Sequence, residues 1–311
     1  MKIRIKHITW VIVSVVLLAG IIPFSLGNFL STKKDASQQV RMLLPDGKVK
    51  NIPLEEYLVG VLAAEMPASF EVEALKAQAV ASRTYVLRKI EKNTSNGELF
   101  DVDSTVNTQA WDSTKDMIDK WGFIDYWKYR KKLEKVTSET KGKNLTFEGE
   151  LIDAVYHSSC GRMKTESAQD VWGTKSSYLT NVESGESDKN RFIFDKIIDI
   201  GTFYTQLGFT NIPESFQQDD IIVLDTTVAG RVKTLVIRGI IFEATDFRTR
   251  LQLPSTDFEW NFKQDRIIIK VYGKGHGVGM SQYGANDLAA KGQNYKQILL
   301  HFYPGTVLSE K

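Results

Sequence analysis

The strongest hydrophobic pattern lies near the N-terminus, where residues 8–30 form an apolar run without a charged side chain. A helix of about 20 apolar residues crosses the hydrocarbon core of a bilayer. The run is preceded by Lys2, Arg4 and Lys6, and a basic flank favours a cytoplasmic N-terminus. We therefore predict a transmembrane helix with a cytoplasmic basic tip within residues 1–30. A cleaved signal peptide is the alternative.

The polar residues 31–39 predict a short linker, after which the hydrophobic pattern becomes regular. Apolar-rich runs on both sides of an Asp-Gly turn predict a β-hairpin over residues 40–52. Helical spacing over residues 54–66 predicts a helix that ends before Pro67. Good helix formers with many small residues over 71–90 predict a second helix, packed against the first as a helical hairpin.

The remaining chain mixes helical and strand periods without the regular alternation typical of parallel α/β folds. Further helices are predicted over residues 114–133, 202–207 and 281–291, and strands within 145–156, 221–223, 234–241 and 267–272. We predict an α+β fold of mixed helices and short strands. It forms an extracytoplasmic domain over residues 40–305, with a β-rich insertion at about residues 185–265.

The net charge and the cysteine content limit which partners the protein can bind and how its fold can be stabilised. The 40 basic and 38 acidic residues leave a formal charge of +2, so no global charge indicates a nucleic-acid partner. Cys160 is the single cysteine, which excludes an intrachain disulfide. Stability must therefore come from packing, even if the domain lies outside the cytoplasm.

Glu65 is the strongest candidate for acid–base chemistry. It follows Leu58, Val61 and Leu62 on one line of the predicted helix, so its carboxyl should point toward apolar packing. Burial raises the pKa of a carboxyl, and such a group can protonate a leaving oxygen and act as a base afterwards. The alternative is a helix-end carboxylate that pairs with a nearby lysine or arginine.

Lys76 and Arg83 are candidate binding residues on the second helix. Their spacing of seven residues places them on one face, from which they could present two cations to a cleft shared with Glu65. The arginine fork could hold a sugar hydroxyl or a carboxylate, and its small neighbours leave room for a ligand. A solvated helix face is the alternative.

His157 and Cys160 form an H-x-x-C pair, a spacing that can chelate zinc. A complete site needs further ligands, which His276 and His301 could supply. A cysteine nucleophile with His157 or His276 as its base is a second interpretation, and a packed small hydrophobic residue is a third. The pattern matches no recognised ligand set or triad, so we expect no required cofactor.

Four glycines in seven residues surround His276 and allow close backbone approach after a strand. The glycine spacing fits neither a phosphate-binding loop nor a dinucleotide fold. We predict a wall of a binding groove in which His276, Gln282 and Tyr283 face a sugar. A structural strand-to-helix turn is the alternative.

Three segments together resemble the stage II sporulation protein D family of bacterial lytic transglycosylases. They read AAEMP followed by ALKAQAVASRTYVL, then YHSSCGRMKTESAQDVWG, then GKGHGVGMSQYGAN. Their order and combination are more specific than any one of them. The resemblance covers roughly residues 40–305, and the predicted membrane anchor agrees with it.

The resemblance implies cleavage of peptidoglycan glycan between N-acetylmuramic acid and N-acetylglucosamine during engulfment, on strands that a partner amidase has stripped of stem peptides. It implies an acid role for Glu65 and groove positions for Arg83 and Tyr178. It also implies membrane scaffold partners. A noncatalytic wall-binding or amidase-enhancing protein is one rival, and a metal-assisted amidase built on His157, Cys160 and His276 is another.

Overall fold

The computed structural model describes residues 38–105 and 108–310. The predicted transmembrane helix lies outside the described residues, as does nearly all of the predicted linker. Within the part of the chain that is described, no helix is both long and apolar enough to cross a membrane.

The described residues form a mixture of helices and short strands, which confirms the predicted α+β class. The helices are α1 (Leu54–Glu65), α2 (Val72–Ser95), α3 (Thr114–Glu139), α4 (Ala168–Trp172), α5 (Ile200–Leu207), α6 (Ala244–Arg250), α7 (Gln282–Ala290) and α8 (Tyr295–Phe302). The strands are β1 (Gln39–Leu43), β2 (Val49–Pro53), β3 (Val102–Asp103), β4 (Lys143–Phe147), β5 (Glu150–Leu151), β6 (Tyr156–His157), β7 (Ile193–Asp199), β8 (Ile221–Thr226), β9 (Val232–Ile237), β10 (Ile240–Glu243), β11 (Asp257–Lys263), β12 (Arg266–Tyr272), β13 (Met280–Ser281) and β14 (Val307–Glu310).

The N-terminal hairpin and the two helices after it agree with the sequence pattern. Strands β1 and β2 pair antiparallel, and β3 adds to β1 in parallel. Helix α1 begins after Pro53 and ends at Glu65, where Met66 is already extended ahead of Pro67. This geometry follows from the proline, which disfavours helical backbone in the residue before it. Glu65 is therefore fixed at the end of a helix.

Helix α2 is the centre of the main hydrophobic core. Its buried small residues, among them Ala74, Ala77 and Ala81, contribute to a core shared with α1, α3, α7 and α8. Small side chains allow helices to approach closely, which is the packing that the sequence predicts. Helix α8 was not predicted. It is capped by Asn294, whose side chain accepts hydrogen bonds from the backbone N–H groups of Lys296 and Gln297.

Helix α3 is longer than predicted and contains a kink. It continues to Glu139, and its residue Gly122 has non-helical backbone angles (φ 74°, ψ 163°). A residue with a Cβ rarely adopts this conformation, so glycine permits the kink. Trp121 lies immediately before it, with its ring 5.4 Å from that of Tyr129.

Residues between 193 and 272 form a strand-rich part with its own hydrophobic core. It contains two three-stranded sheets, ordered β10-β9-β8 and β11-β12-β7. Its last strand ends at Tyr272, beyond the predicted limit near residue 265, because β12 pairs with both β7 and β11. The single strand predicted over 234–241 is wrong. Arg238 (φ 48°) and Gly239 (φ 83°) form a tight turn that divides it into β9 and β10.

A buried ion pair connects the strand-rich part to the segment that contains Cys160. Arg231 contacts Glu166 at 2.9 Å, and both side chains are almost fully buried. The same guanidinium donates to the carbonyl oxygens of Cys160 (3.0 Å) and Lys164 (2.9 Å). These bonds fix the strand-rich part against the short parallel pair of β6 and β13, which carries the candidate site.

Candidate active site

Glu65 lies where two cavities meet. The larger has a volume of about 720 Å³ and the smaller about 420 Å³, and both are lined by Ala64 and Glu65. The half-buried carboxyl accepts a hydrogen bond from the backbone N–H of Ala110 (3.0 Å) at Oε1 and from the side-chain amide of Gln282 (3.3 Å) at Oε2. No lysine or arginine of the described chain forms an ion pair with it.

Desolvation raises the pKa of Glu65 above its usual range, as the sequence predicts. The hydrogen bonds from Ala110 and Gln282 oppose this shift, and the negative charge of Asp112 adds to it. A carboxyl in this state can hold a proton closer to neutral pH than an exposed one does. Glu65 can therefore donate a proton and later accept one.

A hydrogen-bonded set of polar side chains lies behind this carboxyl. Tyr57 donates to the side-chain oxygen of Gln109 (3.1 Å), and the amide of Gln109 donates to the hydroxyl of Tyr156 (3.0 Å). Desolvation raises the pKa of Tyr156 well above its usual value, with the Glu65 charge as the second cause. Tyr156 and Gln109 line the larger cavity, so they present neutral hydrogen-bonding groups beside Glu65.

The glycine-rich segment forms part of the wall of the larger cavity. Gly279 has φ 71°, and a Cβ there would collide with the backbone of Val155 in the adjacent segment. His276 lines the cavity, and its Nδ1 accepts from the backbone N–H of Val278 (3.1 Å). Desolvation, together with the charge of Arg248, lowers the pKa of His276 to about 4. His276 is therefore neutral at physiological pH and stands 5.3 Å from the ring of Trp172.

The smaller cavity has an aromatic wall. Trp121 and Tyr129 of α3 line it together with Lys120, whose Nζ donates to the carbonyl of Ala63 (2.7 Å). Aromatic faces with a few polar groups are typical of sites that bind amphipathic ligands such as sugars. No local sequence pattern indicates this wall, because its residues lie more than fifty positions after Glu65, around a helix kink.

His157 and Cys160 are in contact, but as a hydrogen-bonded pair. His157 Nδ1 lies 3.1 Å from the carbonyl oxygen of Val278, and its Nε2 lies 3.0 Å from Cys160 Sγ. Because a carbonyl can only accept, Nδ1 carries the proton and Nε2 accepts from the thiol. Desolvation lowers the pKa of His157 well below its usual value and raises the pKa of the Cys160 thiol to about 12.

The pair does not fit a zinc ion as it stands. A structural zinc site has four ligands and a catalytic one three, with thiolate rather than thiol sulfur. Within residues 38–105 and 108–310, no three His, Cys, Asp or Glu side chains are grouped as metal ligands. His276 lies close to His157, at 5.7 Å between ring centroids, yet its Nδ1 is occupied by the backbone N–H of Val278.

Glu186 connects the segment of Ser159 and Cys160 to the start of α7, and no local pattern in the sequence indicates this role. This buried carboxylate accepts from the hydroxyls of Ser159 (2.5 Å) and Ser281 (2.8 Å) and from the backbone N–H of Cys160 (2.6 Å). Desolvation raises its pKa. Ser281 is also the N-cap of α7, so Glu186 fixes the start of the helix whose first residue is Gln282.

Arg83 does not line either cavity, which corrects its predicted position in the groove. Its side chain is 1% exposed and pairs with Glu55 at 2.7 Å. It also donates to the carbonyl oxygens of Thr137 (3.2 Å) and Lys143 (3.4 Å). The guanidinium therefore joins α1, α2 and α3 within the scaffold. Lys76, the other predicted cleft cation, also forms ion pairs within the scaffold, with Glu73 and Glu139.

Tyr178 and Tyr283 also lie outside the residues that line the two cavities. The Tyr178 hydroxyl accepts from the backbone N–H of Asp153 (3.2 Å). Tyr283 packs edge-on against Phe70 and Phe192, with ring centroids 4.9 and 4.8 Å away. Of the predicted groove residues, the structure brings His276 and Gln282 to the cavity that contains Glu65.

Comparison with known proteins gives a consistent set of relatives. A family model described as "Stage II sporulation protein" matches residues 46–147. The chain is 38% identical to "Stage II sporulation protein D" of Bacillus amyloliquefaciens over 268 residues, which cover 84% of this chain and 76% of that protein. It is also 38% identical to the Bacillus subtilis protein of the same name over 270 residues, with the same coverage. An "Amidase enhancer" of Bacillus subtilis is 29% identical over 307 residues, which cover 81% of this chain and 40% of that protein.

Proposed function

Because this chain belongs to the stage II sporulation protein D family, with a role in sporulation, we propose that it is a lytic transglycosylase of peptidoglycan. It cleaves glycan strands between N-acetylmuramic acid and N-acetylglucosamine during engulfment. Its substrate is glycan from which stem peptides have been removed.

The observation that carries the proposal is the position of Glu65 between two cavities, with its pKa raised by desolvation. A linear polymer that occupied both cavities would place a bond between sugars beside this carboxyl. Glu65 is the only carboxylate among the described residues that line either cavity. Hydrolytic glycosidases use two carboxylates, the second as a base or a nucleophile. A transglycosylase can use one.

The reaction needs one proton donor that later becomes a base. Glu65 donates its proton to the glycosidic oxygen as the bond from C1 of muramic acid breaks, which releases the N-acetylglucosamine hydroxyl. The carboxylate then takes the proton from the C6 hydroxyl of the same muramic acid, and that oxygen bonds to C1. The product has a 1,6-anhydro end, Glu65 recovers its proton, and no water is consumed. The internal nucleophile is held close to C1, which favours ring closure.

The hydrogen bonds of Glu65 indicate which oxygen transfers the proton. Oε1 accepts the shorter hydrogen bond, 3.0 Å, from the fixed backbone N–H of Ala110, which favours an unprotonated oxygen there. Oε2 has the longer contact, 3.3 Å, with the Gln282 amide. We therefore assign the transferred proton to Oε2. Gln282 orients the carboxyl and stabilises its ionised form between the two proton transfers.

The wider setting is part of the same proposal. The apolar run at residues 8–30 would anchor the chain in the cell membrane, with residues 40–305 on the outer side. A cell-wall amidase would supply the peptide-free glycan, and membrane scaffold proteins would be further partners. The proposed chemistry runs through Glu65 and requires no metal, because each proton transfer uses the same carboxyl.

Product analysis tests the proposal against its two rivals. Purified peptide-free glycan is incubated with the full-length protein and the digest is analysed by mass spectrometry. New 1,6-anhydromuramic acid ends support the transglycosylase. Binding without cleavage supports a wall-binding or amidase-enhancing role. The similarity of this chain to an amidase enhancer favours that role as the second candidate. Freed stem peptides from intact peptidoglycan, with sensitivity to chelators, support a metal-assisted amidase.

A further inference from the structure

Arg248 is a cation in the larger cavity that neither the family motifs nor the proposed chemistry uses. It belongs to α6 of the strand-rich part. Its side chain lines the same cavity as Glu65, which lies in α1. Its Nε donates to the carbonyl oxygen of Leu253 at 3.1 Å, which fixes the base of the guanidinium. No carboxylate among the described residues pairs with it.

This lack of a counterion distinguishes Arg248 from the other arginines held inside the described domain. The guanidinium of Arg83 pairs with Glu55, and that of Arg231 pairs with Glu166. Desolvation lowers the pKa of Arg248, and no acidic side chain in the described part of the chain raises it. A half-buried guanidinium stays charged, and leaving it without an anion costs free energy that a bound anion would recover.

Lys274 adds a second cation to the same cavity. Its backbone N–H donates to the carbonyl of Ser159 (2.9 Å), and its carbonyl accepts from the N–H of Ser159 (3.0 Å). This bridge fixes the start of the side chain, and in the described part of the chain Lys274 has no ion pair either. Among the described residues, Arg248, Lys274 and Glu65 are the charged ones that line the cavity.

The charge balance of the cavity therefore favours an anionic ligand. Glu65 is protonated when it begins the proposed reaction, so the two cations then face no negatively charged group among the described residues that line the cavity. N-acetylglucosamine is neutral. N-acetylmuramic acid carries a lactyl ether whose carboxyl forms the amide bond to the stem peptide. Removal of that peptide by an amidase turns the neutral amide into a carboxylate.

We propose that Arg248 and Lys274 bind the lactyl carboxylate of N-acetylmuramic acid and so select glycan that has lost its stem peptides. The inference rests on the proposed function, because it takes glycan as the ligand. It explains a preference for peptide-free strands by charge recognition. An arginine fork suits a carboxylate, since it can donate two parallel hydrogen bonds.

Binding measurements on a variant that cannot cleave test the proposal. In the full-length Glu65→Gln protein, dissociation constants are measured by calorimetry for two soluble glycan tetrasaccharides. One has free lactyl carboxylates, and in the other each carboxylate is converted to a neutral methyl amide. Arg248→Gln and Lys274→Gln are compared with Arg266→Gln, a control whose side chain is 63% exposed on β12. Melting curves check that each variant is folded.

We expect the parent protein to bind the carboxylate form about tenfold more tightly than the methyl amide, as a hydrogen-bonded charge pair provides. Arg248→Gln should remove this difference by weakening the carboxylate complex alone, Lys274→Gln should reduce it, and Arg266→Gln should leave it unchanged. Equal loss for both ligands, or no loss for either, would overturn the proposal. Tight competition by inorganic phosphate, with no preference between the two glycans, would also overturn it by indicating a phosphate ligand.

The outcome is separate from that of the cleavage assay. Selectivity for the carboxylate is measured with Gln at position 65, so it does not depend on turnover. Selective binding without anhydro product from the unsubstituted protein would refute the transglycosylase and keep the anion site. Anhydro product without carboxylate selectivity would refute the anion site and keep the transglycosylase.

Discussion

The side-chain amide of Gln282 donates to the carboxylate of Glu65 across 3.3 Å, although 217 positions separate the two residues in the chain. Glu65 ends α1, and Gln282 begins α7 directly after its N-cap Ser281. Buried Glu186 accepts from the Ser281 hydroxyl, so the position of the amide is fixed by a second carboxylate. The candidate acid is therefore oriented by a helix start that belongs to a distant part of the sequence.

The first prediction concerns the pKa of Glu65 and follows from this contact. The hydrogen bond from Gln282 lowers the pKa that desolvation raises, so Gln282→Ala should raise it further. The acid form starts the reaction, and activity should fall as pH rises through this pKa. We expect the falling limb of the pH–rate profile to move to higher pH and the maximal rate to drop about tenfold or more.

The profile is measured on peptide-free glycan, with Gln206→Ala as a control on the exposed side of α5. If the falling limb is unchanged in Gln282→Ala, the Gln282 amide does not influence the pKa of Glu65. A shift to lower pH would contradict the proposed sign.

A second prediction concerns Arg83 as part of the scaffold. Arg83→Ala leaves Glu55 without its partner and removes hydrogen bonds to Thr137 and Lys143. Removal of one partner from a buried pair costs about 3 kcal/mol or more. The free energy of unfolding should therefore fall by about that amount in urea titrations.

Lys92→Ala, an exposed change on the same helix, should alter the free energy of unfolding by less than about 0.5 kcal/mol. If Arg83→Ala has normal stability but binds glycan more weakly, Arg83 is a groove residue and the scaffold role is wrong.

A third prediction concerns the aromatic wall of the smaller cavity. Trp121→Ala should weaken glycan binding about fivefold or more, since it removes a large apolar face from the cavity beside Glu65. Trp127→Ala is the matched control on the same helix, because its side chain is 60% exposed and lies outside both cavities. Affinities are measured in the Glu65→Gln background. Equal losses for the two tryptophans would argue against glycan in the smaller cavity.

A fourth prediction concerns metal. Cys160 is a buried thiol that donates to His157, so we expect cleavage to persist after metal is stripped from the protein. Elemental analysis confirms the stripping, and the assay is run at a temperature where the protein stays folded. Loss of turnover that zinc restores and magnesium does not would refute a mechanism based on Glu65 alone.

The sequence predicts those parts of the site that depend on short, local patterns of residues. The position of Glu65 at a helix end follows from helical spacing and from Pro67. Its raised pKa follows from the apolar side of that helix. The hairpin over residues 40–52 and the segment around His276 are also local patterns, with an Asp-Gly turn and a run of glycines.

Long-range contacts account for what the sequence does not predict. The partner of Arg83 lies 28 residues earlier, and its remaining bonds come from residues more than fifty positions away, so its spacing with Lys76 carries no information about burial. Ala110 contacts Glu65 from a segment without regular period. Arg248 reaches the cavity from the strand-rich part, whose packing depends on sheet pairing.

The central claim is that Glu65 is the acid and base of glycan cleavage, and Glu65→Gln tests it most directly. Glutamine keeps the shape of the side chain and removes the titrating group. The variant and the unsubstituted protein are incubated with peptide-free glycan, and 1,6-anhydromuramic acid ends are counted by mass spectrometry. We predict a folded variant that binds glycan and forms these ends at least about a hundredfold more slowly. Anhydro ends formed at a near-normal rate would contradict the claim.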